Sequence, residues 1–201
     1  MVKDIKNRIL DISLELFNNH GIDEVSIRDV AKKVGISHGN LCYHFPNIES
    51  LIENLYKRLV SEQDELFQKM TGQEVSLAFL KASSAESFKL LHKYKFLMLD
   101  FVSIMRKSKV IREHYRELYK LRKQQFRMVI SWMLKEEYIK QEIYPGHYEK
   151  VIEQLFIIGD FWIASSEILF EGNETDKFNY YTDIINQVLF PYLTDKGLNT
   201  N

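Results

Sequence analysis

Glycine and proline are scarce in this chain of 201 residues, at 8 and 3. So few breakers leave little room for a turn-rich β architecture and favour long helices. A single cysteine, Cys42, excludes an internal disulfide framework, and no Cys/His cluster has zinc-ligand spacing. Long apolar runs are missing too. The most apolar stretch, 155–164, is too short for a membrane span and contains Asp160. The charged N-terminus lacks the apolar core of a signal peptide. The expectation is a soluble, cytoplasmic protein without a membrane partner. Positive charge is not in excess either: the formal net charge is -1, and the first 60 residues hold eight Lys/Arg against eight Asp/Glu. Bulk charge therefore gives no basic footprint for nucleic acid, and any such function must rest on a motif. No Ser-His-Asp order, nucleotide-binding glycine loop or close carboxylate pair stands out. No catalytic residue, metal or cofactor is assigned, and the chain does not read as an enzyme.

What is present is material for a helical core. Hydrophobic residues make up 45% and aromatics 13%, which argues against disorder. Ile5, Ile9, Ile12, Leu16 and Phe17 recur at helical spacing, and Gly21 sits where a left-handed cap ends that helix. Ser26 and Asp29 form a capping-box-like start for a short second helix buried through Ile27, Val30, Ala31 and Val34. Gly35 makes the turn. Ser37 caps a third helix that must stop at Phe45, because Pro46 disfavours helical geometry in the residue before it. Asn47 caps a long fourth helix carried by Ile48, Leu51, Ile52, Leu55 and Leu59 toward Met70. After a break at Gly72, helices are predicted near 75–92, 94–106, 108–139, 147–171 and 176–195. The predicted fold is all-α, with about nine helices. A three-helix helix-turn-helix head, residues 1–47, is joined by the fourth helix to a helical body, residues 48–201.

The string from Ser26 to Phe45 carries the function. Its second helix is anchored by Ile36, Leu41 and Phe45, which leaves His38, Gly39, Asn40 and Tyr43 facing outward. A recognition helix presents such residues to the major groove. Gly39 permits close backbone approach, Asn40 suits a bidentate pair with adenine, and Arg28 suits a fork to guanine. Tyr43, His44 and the hydroxyls of Ser26 and Ser37 suit phosphate oxygens, which set register without reading sequence.

From about Lys3 to Leu59 the chain resembles the DNA-binding head of the TetR family of transcriptional regulators. The resemblance rests on His20-Gly21, Val25 to Ala31, Gly35-Ile36-Ser37, Leu41-Cys42-Tyr43-His44-Phe45, then an acidic residue and Leu51. It implies a homodimeric repressor, bound to a pseudo-palindromic operator in double-stranded DNA and released by a small-molecule ligand. Three positions depart from the family pattern. Cys42 stands where a second aromatic is common, Ile48 where a basic residue often opens the fourth helix, and His38 where Lys is frequent. The first two imply fewer phosphate contacts. With the neutral charge they favour the alternative, a helical ligand-binding or scaffolding dimer that has lost specific DNA binding.

In the body, a helix apolar on nearly all sides needs burial on nearly all sides. By resemblance, the last two long helices pair with their copies in a four-helix bundle. Leu155, Gly159, Trp162, Ile163, Ile185, Val188 and Leu189 are the expected dimer contacts. The resemblance also implies an inducer pocket, assigned to Met98, Phe101, Met105, Tyr115, Tyr119, Phe126, Trp132 and Trp162, for a small apolar or aromatic ligand. Aromatics at this spacing also read as plain core. The basic run from Arg106 to Arg127 reads as a solvated face because Glu113 and Glu117 interrupt it. Cys42 reads as a small, partly buried residue, since no second cysteine exists to resolve an oxidised one.

Overall fold

Through the first third of the chain, helix boundaries fall where local chemistry puts them. The computed structural model describes residues 2–70 and 76–199. It begins with α1 (Val2–His20), α2 (Ile27–Val34), α3 (His38–His44) and α4 (Ile48–Met70). Gly21 and Gly35 both adopt φ +78, a left-handed conformation that a side chain disfavours, and each stops the helix before it. The Ser26/Asp29 capping box is complete. Ser37 accepts from the Asn40 amide at 3.2 Å and Asn47 from the Ser50 amide at 2.9 Å, so α3 and α4 start where the caps predict.

The rest comprises α5 (Leu77–Lys93), α6 (Lys95–Leu99), α7 (Phe101–Lys107), α8 (Lys109–Lys135), α9 (His147–Leu169), α10 (Glu174–Gln187) and α11 (Asp195–Leu198). A 3-10 turn, Phe190–Tyr192, precedes α11. The chain is all-α, and among the described residues strand-like pairing is confined to an Ile139–Leu193 bridge. The break expected at Gly72 lies outside the described residues.

Three expected helices differ, each for a tertiary reason. The 94–106 segment divides at Asp100, whose carboxylate accepts the Ile22 backbone N–H, a partner remote in sequence. The 108–139 helix stops at Lys135, and Glu137 turns the chain with φ +59. That turn buries Ile139, which pairs with Leu193. The 176–195 helix stops at Gln187. Pro191 cannot extend it, and the backbone bonds Lys140 N–H to Tyr192 C=O (2.8 Å) and Thr194 N–H to Tyr138 C=O (3.0 Å) draw the chain away.

Two compact units result, Met1–Leu66 with Leu90–Arg112, and Phe67–Lys89 with Glu113–Asn201. The first is larger than residues 1–47, because it takes in most of α4 together with α6 and α7. Its core includes Ile9, Phe17, Val30, Leu41, Leu51, Leu55 and Phe96. Phe17 meets Phe96 at 5.2 Å between ring centres. Tyr94 is fully buried, accepts from Arg58 (2.9 Å) and donates to Glu62 (2.7 Å), and Arg58 also holds Asp11. Burial, reinforced by the Glu62 carboxylate, pushes the Tyr94 phenol well above its ordinary range. α1 is thus clamped to α4 and to the chain entering α6. In the second unit, Ile130, Met133, Ile139, Tyr148, Val151 and Ile152 form a buried cluster. Nearby, Trp162 of α9 stacks on Phe88 of α5, 4.7 Å apart and nearly parallel at 4°.

Candidate nucleic-acid interface

The helix-turn-helix is held by buried apolar residues on one side and leaves polar ones on the other. Val30, Ala31 and Val34 of α2 and Leu41 of α3 are buried, with Phe45 closing α3. Arg8 of α1 donates to the Val34 carbonyl at 2.7 Å, placing a cation at the negative end of α2. Lys33 and Glu15 add an exposed pair between α2 and α1 at 3.2 Å.

The outward face matches the sequence expectation in large part. Arg28, His38, Gly39, Asn40 and Tyr43 are exposed, Tyr43 at 84%. A side-chain carbon on Gly39 would meet nothing within 4 Å, so the backbone there has room for a close partner. His44 is half-buried, its ring edge-on to Tyr43 at 5.1 Å. The two serines differ. Ser37 uses an oxygen lone pair for the Asn40 amide, which leaves its hydroxyl proton able to donate outward. Ser26 donates its hydroxyl to Asp29 at 2.5 Å while accepting that residue's amide. Ser26 is therefore a cap, with no proton left to donate. The Ser26 hydrogen bonds hold the Asp29 carboxyl below its ordinary range. Cys42 is half-buried, with its sulfur 3.4 Å from the His38 ring Nε2.

The body residues are not gathered into one described cavity. Met98, Phe101 and Met105 belong to the first unit, and Tyr115, Tyr119, Phe126, Trp132 and Trp162 to the second. Met98 and Trp162 are core residues, and Trp132 packs at the edge of the buried cluster against Tyr138 at 5.2 Å. Tyr119 and Phe126 both contact Phe156. An open groove of about 750 Å³ runs along α8 from Glu113 to Lys120, with Tyr115 and Tyr119 in its lining.

Several of the expected dimer contacts are already engaged within the chain. Leu155, Trp162 and Ile163 are buried within the chain itself, and Val188 and Leu189 pack against its core cluster. Gly159 and Ile185 are half-buried. The exposed apolar face of α9 is instead Ile157 (62%), Phe161 (45%), Ile168 (81%) and Leu169 (74%). Spacing alone does not say which stripe of a helix apolar all round meets its own core.

Sequence reasoning also missed a polar seam joining α8 to α9. Tyr115 donates to Asp160 at 2.5 Å, Tyr119 to Glu153, Lys123 to Glu153 and Glu149, and Arg127 to Glu149 at 2.6 Å. Arg127, with Lys123, holds the Glu149 carboxyl down to about 2, and Lys123 with Tyr119 lowers Glu153. Asp160 goes the other way, pushed up to about 6 by burial. The four-residue spacing from Tyr115 to Arg127 was visible in the sequence, but its partners on α9 were not.

A helical chain with an N-terminal helix-turn-helix, an exposed polar recognition surface and a larger helical body is the architecture of a one-chain transcriptional regulator. Residues 41–200 match the TetR family described as "Bacterial transcriptional repressor", and residues 9–55 match "Bacterial regulatory proteins, tetR family". The chain belongs to the TetR family. The HTH-type transcriptional repressor KstR2 of Rhodococcus jostii (strain RHA1) is 33% identical over 64 residues, 32% of this chain and 30% of that protein. The biofilm operon icaADBC HTH-type negative transcriptional regulator IcaR of Staphylococcus aureus (strain Newman) is 36% identical over 53 residues, 26% of this chain and 28% of that one. Similarity thus spans under a third of these curated relatives. A TetR-family transcriptional regulator from Marinobacter aquaeolei VT8 shares the fold, with a TM-score of 0.85 at 20% identity over 95% of this chain and 92% of the other. The relatives are regulators, in keeping with a chain not read as an enzyme. Among the described residues no helix is long and apolar enough to cross a membrane.

Proposed function

We propose that this chain is a sequence-specific DNA-binding repressor that occupies a pseudo-palindromic operator as a homodimer and leaves it when a small molecule binds. The observation that carries the reading is the exposed row His38, Gly39, Asn40 and Tyr43 on a helix locked from behind by Leu41 and Phe45. Rigid presentation of a few polar side chains is what direct readout needs. Residues 1–47 serve DNA, and residues 48–201 serve sensing and dimerisation. Asn40 and Arg28 read base edges, while Ser37, Tyr43 and His44 position the backbone.

The homodimer reading is supported by the exposed stripe Ile157, Phe161, Ile168 and Leu169. A second copy laid on that face removes it from water and relates two recognition helices by a two-fold axis. One helical turn of DNA, about 34–36 Å, then separates the half-sites. Ligand binding in the body acts through α4, which runs unbroken from the first unit into the second. A coupling of about 1–3 kcal/mol gives roughly 5–150-fold weaker DNA binding.

The test is selection of random duplex DNA by the purified chain at two salt concentrations. An enriched pseudo-palindrome, lost in Asn40→Ala or Tyr43→Ala, with affinity falling steeply as salt rises, supports the reading. Weak, sequence-blind binding refutes it and leaves a helical ligand-binding dimer.

A further inference from the structure

We propose that Cys42 is a specificity-determining residue that acts through His38, holding that imidazole so that its Nδ1–H reads a guanine in each half-site. This deepens the proposed function, on whose DNA-binding reading it rests, by assigning a base to a recognition-helix residue that had none.

His38 and Cys42 are two of the three departures from the family pattern, and in the structure they meet. They stand four residues apart on α3, which places them on one face of the helix. The Cys42 sulfur lies 3.4 Å from the His38 Nε2 and 4.0 Å from its Nδ1. Among the described residues the thiol is the hydrogen-bond partner that the His38 ring has. His38 is exposed, whereas Cys42 is half-buried beside the fully buried Leu41. The thiol is therefore the anchored member of the pair and the imidazole the one that reaches outward. An exposed side chain already held in place loses less freedom when it meets a base.

The contact also decides what the ring offers. In a neutral imidazole one nitrogen donates and the other accepts, and the bond made by one fixes the role of the other. A thiol sulfur is a weak acceptor, whereas a bare imidazole nitrogen is a good one. The favoured arrangement is thus Cys42 S–H donating to Nε2, the nearer nitrogen, which leaves the ring proton on Nδ1. His38 then meets the major groove as a donor. Guanine presents two acceptors side by side, N7 and O6. Adenine places its N6 amine beside N7, cytosine offers a donor, and thymine sets a methyl beside O4. Of the four bases, guanine gives a single N–H the most to accept it. Cys42 is a positioning residue here, and the group that touches the base is the imidazole.

The test applies random-duplex selection to the full chain, with its thiol kept reduced, and to His38→Ala, Cys42→Ala and the double variant. The expected result is a guanine position in each half-site of the parent's operator whose preference His38→Ala weakens by about fivefold or more, leaving the other positions unchanged. Cys42→Ala should weaken the same position, and the double variant should lose no more than His38→Ala alone, as a residue acting through another requires. Nitrogen NMR of the imidazole rings, at about pH 8 where an imidazole is neutral, reads the tautomer without DNA. His38, assigned by its absence from His38→Ala, should carry its proton on Nδ1 in the parent and lose that preference in Cys42→Ala. A ring state and a base preference both unchanged in Cys42→Ala overturn the proposal, as does a loss spread evenly over all positions or additive losses in the double variant. A parent that selects no operator refutes the DNA-binding reading and this inference with it, whereas an operator with no position sensitive to His38→Ala refutes this inference alone.

Discussion

Asp160→Asn should make the protein more stable, by an amount that grows as pH rises from 4 to neutral. Asparagine keeps the size of the side chain and an oxygen to accept from Tyr115, so the substitution isolates the charge. Burial raises the Asp160 carboxyl from its ordinary 3.8 to about 6. Each pH unit corresponds to about 1.36 kcal/mol, so the ionised carboxylate costs the folded state roughly 3 kcal/mol above pH 7. The direction follows from the raised value. Below about pH 4 the residue is protonated in folded and unfolded chains alike and nothing is lost. As pH rises from about 4 to 6 the unfolded chain ionises freely while the folded one resists, and stability drains away. The advantage of the asparagine variant should therefore grow from about 0.5 kcal/mol at pH 4 to about 3 kcal/mol at pH 7.5, or about 6–12 °C in Tm for a chain of this size. Circular-dichroism melts of both proteins from pH 4 to 8 give the comparison. A variant that melts lower than the parent at pH 7.5, or an offset constant across pH, refutes the assignment of a buried, uncompensated charge.

Asn40→Ala and Tyr43→Ala should each lower operator affinity by roughly 1–3 kcal/mol, about 5–150-fold, and leave the melting curve within about 0.5 kcal/mol. An affinity loss matched by a stability loss would point to a folding defect instead. Phe161→Glu, on the exposed face of α9, should turn the dimer into a monomer in light scattering behind size-exclusion chromatography. A variant that stays dimeric puts the interface elsewhere. Gly197→Ala should destabilise by about 1–3 kcal/mol, because its new carbon would lie 2.2 Å from the Tyr138 carbonyl oxygen. Urea unfolding measures this, and an unchanged midpoint would show that α11 does not dock there.

In the first third of the chain, the amino-acid sequence by itself determined the helices and their ends. Gly21, Gly35, Ser26, Ser37, Asn47 and Pro46 act through their own backbone preferences and through hydrogen bonds a few residues away, which are local facts. Apolar spacing likewise marked Val30, Ala31, Val34 and Leu41 as the inner side of the helix-turn-helix, and so left His38, Asn40 and Tyr43 outside. Even there, the hydroxyl proton of Ser26 was already committed to Asp29, a matter of geometry that residue type does not reveal. Only the tertiary structure decided the rest. Asp100 ends a helix because Ile22 reaches it, and Glu137 turns left-handed because Ile139 must meet Leu193. α9 is apolar all round, so periodicity could not say that Leu155, Trp162 and Ile163 belong inside while Ile157, Phe161 and Ile168 do not. The α8–α9 seam was half legible as a four-residue repeat on one helix. Its uneven charge appears only when the second helix is laid against the first, because a missing partner is a property of a pair of surfaces and of neither sequence alone.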